Sequence, residues 1–204
     1  MFHVKHRPAA TTSHVRARLR LFADLLLRWN RPVNLIARAD ESSLWERHIN
    51  DSLQLKRLIP VGIDRAVDLG SGGGFPGLVL AISTGVSWEL IEPDQRKASF
   101  LREAARITAA PVRVHVVRAE RASLDSTQLV TARGLAPLSK LLALSYPFLT
   151  PDGVCIFPKG REAANELTSA RLRWHMQAQE LSSRTASSST IFFLSEISPV
   201  GPSS

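Results

Sequence analysis

Apolar residues at Val15, Leu19, Phe22, Leu25, Leu26 and Trp29 recur three and four positions apart, the period of an amphipathic helix. Asn30-Arg31-Pro32 is expected to stop it. A second, irregular helix is expected from about Ser42 to Leu58, with Glu46 as a capping-box partner near its start. From Ala66 the rhythm changes. Short apolar runs at Ala66–Leu69, Ser87–Ile91, Val112–Val117, Gln128–Ala132 and Val154–Phe157 read as strands. Helical stretches ending at Ser83, at Gln95–Thr108 and at Pro137–Leu149 separate them. Glu162–Trp174 reads as a last helix. The Ser/Thr-rich stretch 182–189 reads as a turn into Ile191–Leu194, with an antiparallel hairpin expected at the sheet edge. Strands alternating with helices predict an α/β fold, a mostly parallel sheet with helices on both faces and an N-terminal helical extension.

Composition narrows the class. In 204 residues, 44% hydrophobic and 22% charged, one sizeable core is expected, and a disordered or collagen-like chain is excluded. We expect residues 1–60 to be a basic helical extension packed on a core of residues 61–204. A single cysteine, Cys155, rules out an internal disulfide. No apolar run approaches the roughly 20 residues of a membrane span, and the start lacks the apolar stretch of a secretory signal. A cytoplasmic protein is therefore expected. Lys and Arg number 26 against 18 Asp and Glu, a formal net charge of +8. The excess is uneven: residues 1–65 hold twelve basic and six acidic side chains, a balance of +6. Such a field favours a polyanion such as nucleic acid. Met-Phe-His-Val-Lys-His at the start can be encoded by a palindrome, TGTTTCACGTGAAACA, so that segment is expected to serve a DNA element and to be dispensable in the protein.

The chemistry gathers at a glycine loop. Gly72-Gly73-Gly74-Phe75-Pro76-Gly77 fits the dinucleotide pattern G-x-G-x-x-G, with Glu92 after the next strand. Asp68-Leu69-Gly70-Ser71-Gly72-Gly73-Gly74 fits equally the loop of enzymes that bind S-adenosylmethionine (SAM). In both, glycines admit a ligand close to the backbone, and a carboxylate such as Glu92 can take two ribose hydroxyls. Asp68 separates the two readings. A carboxylate just before the first glycine repels a pyrophosphate but tolerates an ammonium and a sulfonium. Gly70, Gly72 and Glu92 are thus candidate cofactor contacts.

Seven blocks in order carry a family resemblance: Trp29-Asn30 with Asn34-Leu35, Arg47-His48-Ile49-Asn50-Asp51-Ser52-Leu53, Val67 to Gly77, Ile91 to Lys97 with Phe100 to Glu103, Arg118-Ala119-Glu120, Ala132-Arg133 and Lys159-Gly160. The chain resembles the ribosomal RNA small subunit methyltransferase G family, also called glucose-inhibited division protein B. The resemblance implies a Rossmann-like, class I SAM-dependent methyltransferase fold. It also implies methyl transfer to N7 of a guanine, position 527, in the 16S rRNA. Positions matching Gly70, Phe75, Ala119, Glu120 and Arg133 contact the cofactor in that family.

Guanine N7 is an exposed lone pair without a proton, so its methylation needs positioning more than a general base. Thr131-Ala132-Arg133-Gly134 agrees, lacking the Asp/Asn-Pro-Pro-aromatic signature expected for exocyclic amines. Cys155 lies inside an apolar strand and reads as core rather than nucleophile. Arg133 is the candidate positioning residue. His48 and Asp51, three apart on one helix face, are candidate substrate contacts, as is Lys159, which could meet an rRNA phosphate. Trp29 and Trp45 are candidate stacking surfaces, Trp29 being the better core residue. No metal site is visible. The expected partner is small-subunit rRNA or the assembling subunit, met by a monomer. The competing readings are another RNA or small-molecule methyltransferase, an NAD-dependent oxidoreductase, and a non-catalytic RNA-binding protein.

Overall fold

A computed structural model of the chain describes residues 12–201, which leaves the start proposed above to serve a DNA element outside the described residues. The first helix, α1 (Ser13–Val33), starts where the Thr12 hydroxyl accepts from the Val15 amide at 3.3 Å. It buries Leu19, Phe22, Ala23, Leu25 and Leu26 along one stripe. Asn30-Arg31-Pro32 does not stop it: the helix continues to Val33 with Pro32 in its last turn and Asn34 as the left-handed C-cap, φ 58°. A proline there sacrifices one helical hydrogen bond near an end where the ladder is already finishing. The turn is set by Asn30 instead. Its buried Oδ1 accepts from the amides of Leu35 and Ile36 at 2.8 and 2.9 Å, and its Nδ2 donates to Glu41 at 2.6 Å.

The expected second helix is a series of short turns. A 3-10 turn (Arg38–Ser43) leads into a wide π-turn (Trp45–Asn50), one α-turn, α2 (Asp51–Leu53), and a 3-10 turn (Gln54–Leu58). No capping box forms at Glu46, since the chain enters the π-turn already helical at Leu44 and no side chain caps it.

Then follow β1 (Arg65–Leu69), α3 (Gly77–Thr84), β2 (Ser87–Ile91), α4 (Gln95–Thr108), β3 (Val112–His115), β4 (Thr127–Ala132), α5 (Leu138–Ser145), β5 (Leu149–Lys159), α6 (Ala163–Arg171), β6 (Trp174–Ser182) and β7 (Thr190–Pro199). The sheet order is β3-β2-β1-β4-β5-β7-β6, parallel except for β7. Alternation along β1 divides the interior. Ala66 joins a core with α1, α3 and α4, whereas Val67 and Leu69 join a second core with α5 and α6. The strand order reverses between β1 and β4, and in such sheets ligands bind beyond the carboxyl ends of the strands at that point. Among the described residues no helix is long and apolar enough to cross a membrane.

Three expectations change at the C-terminal half. Residues 146–148 form a 3-10 turn rather than more helix, β5 is longer than Val154–Phe157, and Trp174 opens a strand rather than ending a helix. β6 was hidden because its alternation carries polar Gln177, Gln179 and Glu180 on an edge strand, where only one face need be apolar. The antiparallel hairpin is at the sheet edge, with β7 inserted between β5 and β6.

Replacing Asn30 with Ala strands two buried amides. We expect Asn30→Ala to lower stability by about 3 kcal/mol in urea unfolding, most of it from desolvated donors left without a partner. A loss below about 0.5 kcal/mol would mean that Asn30 does not hold this turn.

Candidate active site

The glycine loop leaves β1 at the reversal point and bends through three positive φ angles, 67° at Gly70, 49° at Gly72 and 90° at Gly74. Side chains are disfavoured at such angles, which is why glycine is needed here. The amides of Gly70 and Ser71 both donate to the carbonyl of Ile91, at 2.8 and 3.1 Å, fastening the loop to the end of β2. Glu92 completes the attachment. One carboxylate oxygen accepts from the Gly72 amide at 2.8 Å and the other from the Asp94 amide at 2.9 Å, and the side chain is buried. The acid singled out for ribose hydroxyls therefore also braces the loop.

Asp68 lies fully buried beneath the loop. Its Oδ1 accepts from the Thr131 hydroxyl at 2.7 Å, while Oδ2 has no partner among the described residues. Thr131 stands beside it because β1 and β4 pair in parallel with Asp68 opposite Thr131. Burial pushes the carboxyl up to about 6, opposed by the Thr131 hydrogen bond, by the neighbouring Ser71 hydroxyl and Gly77 amide and by the Arg133 charge. Gly77 follows from the same packing: a Cβ there would lie 2.6 Å from the Asp68 Cβ and 2.8 Å from Oδ2.

Two cavities flank the loop that follows β4. The first, about 330 Å³, is lined by Gly70, Ile91, Pro93, Ala119, Glu120 and Leu135, among others. Gly70, Ala119 and Glu120 thus share one wall system, with Glu120 half-exposed 3.9 Å from Lys140. The second, about 260 Å³, takes in Asp51, Arg133, Lys159, Glu166 and Ser183. Of the residues singled out from sequence, Gly70, Ala119 and Glu120 line the first and Asp51, Arg133 and Lys159 the second. Gly72, Phe75, Glu92 and His48 line neither; the first three form the loop and its support.

Arg133, just after β4, lines the second cavity. Its Nη2 donates to His48 Nδ1 at 2.7 Å and its Nη1 to Asp51 Oδ2 at 3.2 Å, while Cζ lies 4.9 Å from the centre of the Phe75 ring. The His48 ring is 5.0 Å from the same phenyl ring. Arginine has only donors, so His48 Nδ1 accepts and its Nε2–H donates to Asp40 Oδ2 at 3.1 Å. Burial and then the Arg133 charge hold His48 below its ordinary pKa, so the ring is neutral near pH 7. The wide turn over Trp45–Asn50 brings the Arg47 carbonyl, His48 and, just beyond it, Asp51 onto one guanidinium. Asp51 is held in turn: its Oδ1 accepts from Gln54 at 2.8 Å and from Thr185 at 2.7 Å. His48 and Asp51 therefore meet through Arg133 and not through each other.

Lys159 is not an exposed cation. Its buried ammonium contacts Glu166 at 2.6 Å and the Ala136 carbonyl at 2.9 Å, and the same Glu166 oxygen accepts from the Leu138 amide. It ties the end of β5 to α5 and α6. Cys155 is buried in the second core, where burial raises its thiol pKa. Sequence reasoning missed Asp40, Glu166 and Thr185; the first two are near in sequence to His48 and Lys159 but on different elements, and Thr185 is 134 residues from Asp51. Thr131 could have been found by pairing β1 with β4.

The cavity beside Gly70, the loop built of glycines and the buried negative charge beneath it suit a nucleoside bearing positive charge better than a pyrophosphate. The sequence profile of the GidB family, described as rRNA small subunit methyltransferase G, matches residues 16–191. A Rhodospirillum centenum protein named ribosomal RNA small subunit methyltransferase G is 53% identical over 184 residues, 90% of this chain and 85% of that one. Among solved structures, the ribosomal protein L11 methylase of Lactobacillus delbrueckii subsp. bulgaricus superposes with a TM-score of 0.61 at 14% identity, covering 73% of this chain and 78% of its own. M. jannaschii TYW2 in complex with AdoMet gives a TM-score of 0.56 at 14% identity, covering 75% and 76%. At such identities these two show the fold, the class I SAM-dependent, Rossmann-like one.

The Asp68 environment predicts a pH signature. Because the folded state raises this acid from 3.8 to about 6, folding binds its proton, and the contribution of this group falls as pH rises through that window. Two pKa units correspond to about 3 kcal/mol. Asp68→Asn, nearly isosteric and uncharged, should gain melting temperature relative to the parent between pH 4 and pH 7. A difference in melting temperature that does not change with pH would refute this.

Proposed function

The chain belongs to the rRNA small subunit methyltransferase G family, and from that premise we propose that it methylates N7 of a guanine in small-subunit rRNA, acting as a monomer. The observation that carries the choice of N7 is the absence of an available base around Arg133. Among the described residues, His48 is engaged on both nitrogens, Asp51 accepts from three donors, and Lys159 is paired with Glu166. An acceptor that must lose a proton would need one of these groups. N7 has no proton to lose.

S-adenosylmethionine, when bound, supplies an electrophilic methyl group on a sulfonium. Gly70, Ala119 and Glu120 would hold it in their shared cavity, with Gly72 and Phe75 shaping the loop and Glu92 keeping that loop in place. Asp68 favours positive charge above the loop. Arg133 is the positioning residue. Its guanidinium is fixed by His48, Asp51 and the Phe75 face, and its remaining N–H donors suit guanine O6, the acceptor beside N7. His48 and Asp51 act through Arg133, and Lys159 through the strand and helices it joins.

The test is methyl transfer from labelled SAM to small-subunit RNA from cells lacking this activity and from cells possessing it. Label should enter only the former, at a guanine rendered cleavable by N7 methylation. Label elsewhere, or none despite SAM binding, overturns the assignment.

Two kinetic outcomes follow from the same geometry. The value of kcat should be flat between about pH 6.5 and 9, because no group in the cleft acts as a base. Arg133→Ala should lower turnover on the order of 100-fold, a cost typical of lost positioning. Unchanged turnover and SAM affinity in that variant would remove Arg133 from the mechanism.

A further inference from the structure

A groove of about 660 Å³ runs between the C-terminal half of α1 and the first turns of α4, outside both cavities described above. Leu25, Arg28, Trp29 and Pro32 form one wall, and Arg96 and Ser99 the other. The half-buried Trp29 rests on Phe100, ring centres 5.9 Å apart, and turns its remaining surface to the groove. Arg28 and Arg96 are exposed, and among the described residues neither is in an ion pair, although the Arg96 guanidinium also donates to the Pro32 carbonyl. Among the described residues no carboxylate lines the groove.

Both walls reach the catalytic loop. The α1 wall leads through the Asn30 turn to Leu35, whose carbonyl packs so closely on Gly73 that a Cβ there would lie 3.0 Å away. The α4 wall begins at its N-cap Asp94, next to Pro93 of the first cavity. The groove therefore opens at the same edge of the sheet as Gly70 and Arg133. Its α1 wall lies within residues 1–65, the segment that holds most of the basic excess, a use of that charge which the catalytic cleft does not account for.

We propose that this groove is a docking subsite for single-stranded RNA flanking the target base, with Arg28 and Arg96 on phosphates and Trp29 under a base. The proposal rests on the rRNA reading above. An apolar aromatic floor between two guanidinium groups that form no ion pair among the described residues matches the chemistry of sequence-tolerant RNA binding: electrostatic contacts along the backbone, stacking for the bases. A peptide partner would need acidic residues for the arginines and would gain nothing from adjacency to a base-modifying centre.

The test measures binding of the SAM-loaded protein to protein-free small-subunit rRNA lacking the modification, by filter retention across a range of KCl concentrations. The double variant R28Q/R96Q should bind about tenfold more weakly near 0.15 M salt. The slope of log affinity against log salt should fall by about 1.4, at roughly 0.7 per phosphate contact on a single strand. SAM affinity should stay within twofold, which shows the fold intact. R28Q alone, at a side chain with no partner among the described residues, should give about half of the slope change. R171Q, the same charge change on α6, should leave binding within twofold. Ultraviolet cross-linking of the wild-type complex should attach RNA to Trp29.

Affinity and slope unchanged in R28Q/R96Q, while the wild type binds RNA, would overturn the groove and leave the methyltransferase reading standing. A wild type that binds SAM but neither binds nor methylates RNA would overturn both. An effect confined to assembled subunits, without one on protein-free RNA, would assign the groove to a ribosomal protein and refute the proposal.

Discussion

The guanidinium of Arg133 joins the end of β4, the glycine loop and the turns around α2 at one point. It leaves the end of β4, lies against the Phe75 ring of the glycine loop, and bonds to His48 and Asp51. Through Asp51 it is linked to Gln54 and to Thr185 in the β6–β7 turn, and through His48 to Asp40. A planar cation with several fixed donors suits such a junction, because each partner must approach in the plane and at a set angle.

The glycine loop is held by a complementary logic. Left-handed glycines let the chain turn sharply off β1, and backbone donors that the turn exposes are taken up by Ile91 and Glu92. Beneath them, Asp68 keeps one oxygen without a partner among the described residues, in a setting that raises its pKa. Leaving a buried acceptor unsatisfied costs stability, and such costs are commonly tolerated where charge serves a ligand. A carboxylate under the loop makes the site hospitable to a cationic nucleoside cofactor and hostile to a phosphate, which agrees with membership of a methyltransferase family.

The helical extension contributes more than a lid of positive charge. Asn30 folds the end of α1 back so that Leu35 presses on the glycine loop, and the turns that follow deliver Asp40, His48 and Asp51 to Arg133. Its core residues Leu19, Phe22 and Leu26 are continuous with those of α3 and α4. The turns that carry His48 and Asp51 and the glycine loop thus pack on one apolar layer.

Much of this was legible in the residues themselves. Periodicities of 2 and 3.6 placed β1, β2, β4 and α4 almost to their ends, because buried parallel strands and amphipathic helices write their burial directly into the chain. Asp68, the glycines, Glu92 and Arg133 stood out because a loop that must admit a ligand permits few residue types. The edge strand β6 and the broken run over Arg38–Leu58 did not, since an exposed edge tolerates polar alternation and a π-turn has no sequence period. What the side chains would do was decided by tertiary structure alone. Lys159 reads as a free cation until Glu166 is beside it, and His48 and Asp51 read as a pair until Arg133 comes between them. Local spacing fixes which face of an element a residue occupies, whereas its hydrogen-bond partner depends on which distant element packs against that face.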